Sequence, residues 1–117
     1  MYTTIFGNIG NCLMKLFGFL PIKKNKVVFQ SFYGAYYSDN PKCLYEEMSK
    51  ILPDYDYVWL MENDNIKIDG CRVVRSASIR ALYEMATAKC WIDNSRKREW
   101  CVKRSSQYYV QTWHAGI

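Results

Sequence analysis

The only histidine of this 117-residue chain, His114, stands three residues from its end in "YYVQTWHAGI", directly after a run of strand-forming residues. A neutral imidazole, with an ordinary pKa of ~6.5, can take a proton from an attacking hydroxyl. Gly116 would let the chain turn there into a helix whose N-terminal amides steady phosphate. No acid, serine or cysteine stands at a spacing that marks it as a partner for His114, and the sequence carries no Gly-rich phosphate loop or metal-binding motif. Residue chemistry alone therefore leaves two readings, a general base or a histidine that closes a strand. Two other segments could meet an anion. "SFYGAYYSDNP" places Gly34, Ser38, Asp39 and Asn40 ahead of a helix, where amides and the helix dipole favour negative charge, although capping explains Asp39 and Asn40 equally. "DNSRKR" carries Asn94, Ser95 and Arg96, and the arginine can grip a phosphate through two hydrogen bonds or simply lie on the surface.

The elements that position these residues follow from the hydrophobic pattern. "KVVFQSF" reads as a buried first strand, "DYVWLM" as a second, "CRVV" as a short third, and "KCWID" and "QYYVQTW" as the last two. Between them, "NPKCLYEEMSKIL" reads as a helix with Asn40 as N-cap and Pro41 at its first position, ended by Pro53. "SIRALYEMATA" reads as another, with Ile79, Leu82, Tyr83 and Met85 on one side. Strands alternating with helices predict an α/β fold with a mainly parallel five-stranded sheet. In such a sheet Val27, Val28, Phe29, Val58, Leu60, Val73 and Ile92 are buried between helix layers, and the loops after Phe32, Asn94 and Trp113 share the carboxyl edge where ligands bind.

Ahead of the first strand, residues 1–22 form a separate problem. Ile5, Ile9, Leu13, Leu16 and Leu20 recur at helical spacing, widened by Phe6, Met14, Phe17 and Phe19 and interrupted by Asn8, Asn11 and Lys15. The stripe is too broken to span a bilayer, which takes ~20 apolar residues. An amphipathic helix lying on a membrane ahead of the basic "KKNK", or one packed on protein, fits it equally. Half of the residues are hydrophobic, which excludes a disordered chain, and the length allows one domain. The net charge of +5 gathers in Lys23, Lys24 and Lys26 and in Arg96, Lys97, Arg98, Lys103 and Arg104, clusters that suit an anionic partner or plain solvation. Five cysteines without a close pair fit reduced thiols better than a disulfide framework or zinc site.

Taken in order, "KNKVVFQSFYGAYYSDNPKCLYEEM", "DYDYVWLM", "RVVRSASIRALYEMATAKCWIDNSR" and "YYVQTWHAGI" resemble the N-terminal half of the CDP-glycerol glycerophosphotransferase family, bacterial enzymes that build teichoic acids and related poly(alditol phosphate) polymers. The resemblance covers Lys26 to Ile117. It implies that residues 23–117 are the Rossmann-like, acceptor-side N-terminal domain of a GT-B type transferase, with the C-terminal nucleotide-binding domain absent and the isolated chain inactive. It also implies that His114 is the general base, matching the family's Q-T-W-H-G stretch, with His-Ala-Gly here in place of His-Gly. The implied donor substrate is CDP-glycerol or CDP-ribitol, with no cofactor and no metal. Its implied partners are a lipid-linked polyol-phosphate or glycan acceptor and the cytoplasmic membrane surface, not nucleic acid, and its place is cytoplasmic, peripheral on the inner face of that membrane. A nucleotide-sugar glycosyltransferase of GT-B type and a non-catalytic Rossmann-like module remain as the other readings.

Overall fold

The runs "VVF" and "YVWLM" lack the alternation of half-exposed strands, and the computed structural model, which describes residues 2–95 and 103–112, shows why. Strands β1 (Lys23–Gln30), β2 (Asp56–Met61), β3 (Arg72–Arg75), β4 (Ala88–Asp93) and β5 (Tyr108–Gln111) form one sheet in the order β3-β2-β1-β4-β5. Every neighbouring pair is parallel, as expected. Helix α2 (Asp39–Ile51) links β1 to β2, helix α3 (Ile79–Thr87) links β3 to β4, and helix α1 (Tyr2–Phe17) packs against α3. The sheet is thus covered on both faces, and successive residues of one strand enter different cores. Val27, Phe29, Tyr57 and Trp59 meet Tyr45 of α2, with the Phe29 and Trp59 rings stacked 5.4 Å apart. Val28, Val58, Leu60 and Trp91 meet Leu82 and Met85 of α3 and Met14 of α1. Each such aliphatic or aromatic side chain contributes ~1.5–3 kcal/mol by leaving water.

Three expectations need correction. Ser38, not Asn40, is the N-cap residue of α2, so Pro41 lies inside the first turn, where its missing N–H breaks no helical bond. Ile79 is exposed, because α3 turns Ala81, Leu82 and Met85 inward instead. Val73 is only half-buried, since β3 is an edge strand with one neighbour.

Helix α1 packs one side of the apolar face that the spacing suggests and leaves the other side outside the core. Met14 is buried in the core, with Leu13 and Phe17 against it, and the Phe17 ring meets Tyr83 edge-on at 5.8 Å. Ile9, Leu16, Leu20 and, at 87% exposure, Phe19 remain in solvent. No described helix is long and apolar enough to cross a membrane.

The basic clusters divide in a way their composition does not show. Lys23 and Lys24 are exposed, but Lys26 is fully buried and donates to Glu84 at 2.8 Å and to Thr87. Glu84, also fully buried, accepts from Arg72 at 2.7 Å and from Arg80 at 2.9 Å, while Arg72 grips Asp56 with both Nε and Nη2. Arg104 joins the loop after α1 to the last turn of α3, donating to the carbonyls of Leu20 at 2.6 Å and Ala86 at 3.2 Å. The Gln107 carboxamide donates to the carbonyls of Met85 and Ala88, so the last turn of α3 is satisfied from a distance.

Burial alone would raise the Glu84 pKa, but hydrogen bonds from Arg72, Lys26 and Arg80 outweigh it and hold the group at about 2. Folding therefore lowers it from an ordinary 4.5, so its contribution to stability is complete above that value and is lost as pH falls toward 2. Replacing Glu84 by Gln should destabilise the fold by about 3 kcal/mol, because Lys26 is left buried without its counter-charge. Urea unfolding at neutral pH checks the magnitude, and repeating it between pH 5 and 2 should show a shallower acid loss in the variant than in the parent.

Candidate active site

Because α3 carries the chain from the β3 edge back across the sheet to the far side of β1, the strand order reverses between β1 and β4. The loops leaving those two strands diverge there, and in open parallel sheets this carboxyl-edge position is where ligands bind. Sequence reasoning places Gly34, Ser38, Asn40, Asn94 and Ser95 at this edge, and the structure brings them together there. The Asp39 side chain, Arg96, His114 and Gly116 lie outside the described residues, as do the loop after Trp113, Lys97, Arg98 and Cys101. The end of β5 is at the same edge, since Gln111 pairs with Asp93, the last residue of β4.

The loop after β1 begins with a left-handed turn. Phe32, Tyr33 and Gly34 have φ values of 49°, 56° and 95°. Glycine adopts that region freely, and here it is also the only residue that fits, because a Cβ on Gly34 would stand 2.8 Å from Ser76 Oγ and 3.0 Å from the Glu62 nitrogen. For the two aromatic residues the conformation costs on the order of 1–3 kcal/mol each. Surrounding bonds hold it. The Phe32 amide donates to Asn94 Oδ1 at 2.8 Å, the Gly34 amide to the Ser31 carbonyl at 2.9 Å, and the Glu62 amide to the Gly34 carbonyl at 2.8 Å. Ser31 Oγ then donates to the Ser38 carbonyl at 2.8 Å, tying the turn to the start of α2.

Asn94 is fully buried and is the clasp between the two diverging loops, with Ser95 Oγ also donating to its Oδ1 at 3.3 Å. Asn40 reaches across the edge and donates to the Thr112 carbonyl at 3.5 Å, joining the first turn of α2 to the residue after β5. The Thr112 amide in turn donates to the Asp93 carbonyl at 2.8 Å. Gln30, Asp93 and Gln111 are register partners across β1, β4 and β5, so their side chains share one face of the sheet and form a polar row at its carboxyl edge. Asp93 is fully buried, and the Gln111 Nε2 is buried with no hydrogen-bond acceptor among the described residues. Sequence reasoning missed this row. Its signal was present, because each of the three is a polar residue that closes its strand directly after an apolar or aromatic run, VVF, CWI and YYV.

The arrangement can hold a hydroxylated ligand between mixed donors and acceptors, beside loops that end in helix amides. A sequence profile described as CDP-Glycerol:Poly(glycerophosphate) glycerophosphotransferase matches residues 12–116. This chain belongs to that family. It is 31% identical to a teichoic acid poly(glycerol phosphate) polymerase of Bacillus spizizenii over 97% of its own length and 30% of the relative's. A teichoic acid glycerol-phosphate transferase of Staphylococcus aureus is 36% identical, over 86% of this chain and 26% of the relative. Among solved structures, the wall teichoic acid polymerase TagF, in a variant soaked with CDPG, superposes with a TM-score of 0.80 at 32% identity, covering 90% of this chain and 27% of that one. The chain thus spans less than a third of the relatives it matches.

Replacing Asn94 by Ala should cost about 2 kcal/mol, because the part-buried Phe32 amide loses its acceptor. The same change should release the left-handed turn, visible as faster hydrogen exchange at the amides of Phe32 and Gly34 than at Val28 in the sheet.

Proposed function

We propose that this chain is the acceptor-side part of a CDP-glycerol-dependent glycerophosphotransferase acting in teichoic acid or capsule polymer synthesis. The family match over residues 12–116 carries the reading, and the polar switch-point edge is consistent with it. The whole activity requires a donor-binding part beyond this chain, which spans under a third of its relatives. In the complete enzyme the terminal hydroxyl of a lipid-linked polyol-phosphate or glycan acceptor attacks the β-phosphorus of CDP-glycerol. The bond from that phosphorus to the bridging oxygen breaks, CMP leaves with the electron pair, and a phosphodiester forms. His114 takes the hydroxyl proton as general base. The chemistry asks for no metal or cofactor, and the donor is a substrate; CDP-ribitol is the other alditol donor of this chemical class.

The same proposal places the enzyme at the inner face of the cytoplasmic membrane, where a nucleotide-activated donor and a lipid-linked acceptor meet. The exposed Ile9, Leu16, Phe19 and Leu20 on α1 and the loop after it, flanked by exposed Lys15, Lys23 and Lys24, match an anionic lipid surface in both polarity and charge. Deleting residues 1–22 would remove Met14 from the core, so surface substitutions are the cleaner test. Leu16→Glu with Phe19→Glu should abolish sedimentation with vesicles containing anionic lipid while leaving the unfolding midpoint near that of the parent; unchanged sedimentation would make this face a protein contact.

Activity tests the catalytic assignment. In the complete transferase, His114→Ala should lower CMP release from CDP-glycerol by ~10²–10⁴-fold, the range for loss of a positioned general base. Donor affinity should stay near that of the parent. Undiminished turnover would make His114 structural, and assays with CDP-ribitol in parallel would identify the alditol.

A further inference from the structure

Three arginines line a groove of about 520 Å³ that runs along the outer edge of β3, between Asp64 in the loop after β2 and the first turn of α3. They are not equally engaged by the fold. Arg72 is committed to Asp56 and Glu84 through all three of its nitrogens. Arg80 gives only its Nε to Glu84, at 2.9 Å, so that bond fixes the guanidinium while both amino groups are left to the groove. Arg75, the last residue of β3, is exposed; its carbonyl accepts from Ser78 Oγ at 2.6 Å, but its guanidinium has no partner among the described residues. Because β3 has a neighbour on one side only, backbone N–H groups along its outer edge also lie open here. A guanidinium anchored by a buried carboxylate, with an unpaired one beside it, matches the two-pronged geometry in which arginine grips phosphate oxygens. Asp64, also exposed, adds an acceptor that a bare anion cannot use and a ligand hydroxyl can.

We propose that this groove is a second binding site for the acceptor, holding a hydroxylated phosphodiester behind the reacting end, with Arg75 and Arg80 on the phosphate and Asp64 on the hydroxyl of the same repeat. The inference rests on the transfer reading above for the identity of that chain. Neighbouring strands stand ~4.8 Å apart, so β3, two strands from β1, is about 10 Å from the switch point. A chain whose terminal hydroxyl lies at the switch point therefore reaches the groove with the units that precede that terminus, and an acceptor of a single unit does not reach it. The same chemistry stands on the headgroup of phosphatidylglycerol, and the test separates the two sources.

Calorimetric titration of the 117-residue chain with a soluble poly(glycerol phosphate) oligomer reads the groove directly. Arg75→Gln removes an exposed group that makes no side-chain bond among the described residues, so the unfolding midpoint should match that of the parent. Affinity for the oligomer should fall about tenfold, the order of one lost charge-assisted contact, while sedimentation with phosphatidylglycerol vesicles stays as in the parent. In the complete transferase the variant should raise the KM of an acceptor primed with several glycerol phosphate units about tenfold and leave the KM of a single-unit acceptor, and kcat for both, unaltered. No binding of the oligomer by the parent, or equal affinity in parent and variant, overturns the proposal. A variant that loses the vesicles but keeps the oligomer also overturns it, making the groove a headgroup site, and a single-stranded oligonucleotide bound as tightly with the same dependence on Arg75 makes it a general polyanion surface. The transfer reading fails separately. Absence of CMP release from CDP-glycerol by the complete protein defeats that reading and leaves an Arg75-dependent groove standing, whereas CMP release beside an oligomer affinity indifferent to Arg75 defeats the groove alone.

Discussion

A single buried carboxylate ties the crossover of this fold to its sheet. Glu84 on α3 is fully buried, and it is tolerable there only because Lys26 of β1 and Arg72 of β3 reach it from the sheet while Arg80 reaches it from its own helix. Arg72 also grips Asp56 at the start of β2, so the beginnings of three parallel strands and one helix share the same charges. Such a cluster stabilises less than its Coulomb attraction suggests, because Lys26 and Glu84 give up all their water, yet each alternative placement of α3 would strand a buried charge. The position of α3 matters because this helix carries the chain to β4, on the far side of β1. Where α3 sits decides where the strand order reverses, and hence where the site lies.

The network and the site occupy opposite ends of the same strands. Lys26 and Arg72 lie in the amino-terminal halves of β1 and β3, whereas Gln30, Asp93 and Gln111 close their strands at the carboxyl edge. The charged end is internally paired and holds the architecture. The other end has a strained turn, a buried asparagine clasp and a polar row, features expected where a scaffold presents groups to a ligand. Separation of the two lets the carboxyl-edge loops differ in detail without disturbing what holds the helices in place.

Helix α1 shows how one amphipathic segment can serve two surfaces. Met14, with the partly buried Leu13 and Phe17, completes the core beneath α3, and Arg104 ties down the loop that follows the helix through the Leu20 carbonyl. The apolar residues left outside therefore do not represent a failure to pack. They form a second face on a helix already fixed to the domain.

Much of the fold was legible in the sequence because its signals are local. Strands covered on both faces read as the unbroken runs of β1 and β2, and alternation of strand and helix requires parallel pairing, so the elements and the sheet class follow from neighbours a few residues apart. The carboxyl-edge loops carrying Gly34 and Asn94 were legible for the same reason, being the segments that follow predicted strands. What the sequence could not show depends on partners far apart in the chain. Lys26 looks like part of a solvated basic cluster until Glu84, 58 residues away, is brought against it. Asn94 shows in the sequence only as a polar residue after a strand, and its Oδ1 accepts the Phe32 amide from 62 residues away. The stripe of Ile5, Ile9, Leu13, Leu16 and Leu20 does not show which of its sides packs, and the core takes Leu13 with Met14 and Phe17, while Ile9, Leu16 and Leu20 stay exposed, because α3 lies on that side. Periodicity states that a face is apolar and a spacing states that a residue is polar; only tertiary packing decides which face is covered and which charge is paired, because desolvation acts on groups that the chain brings together after its local structure is set.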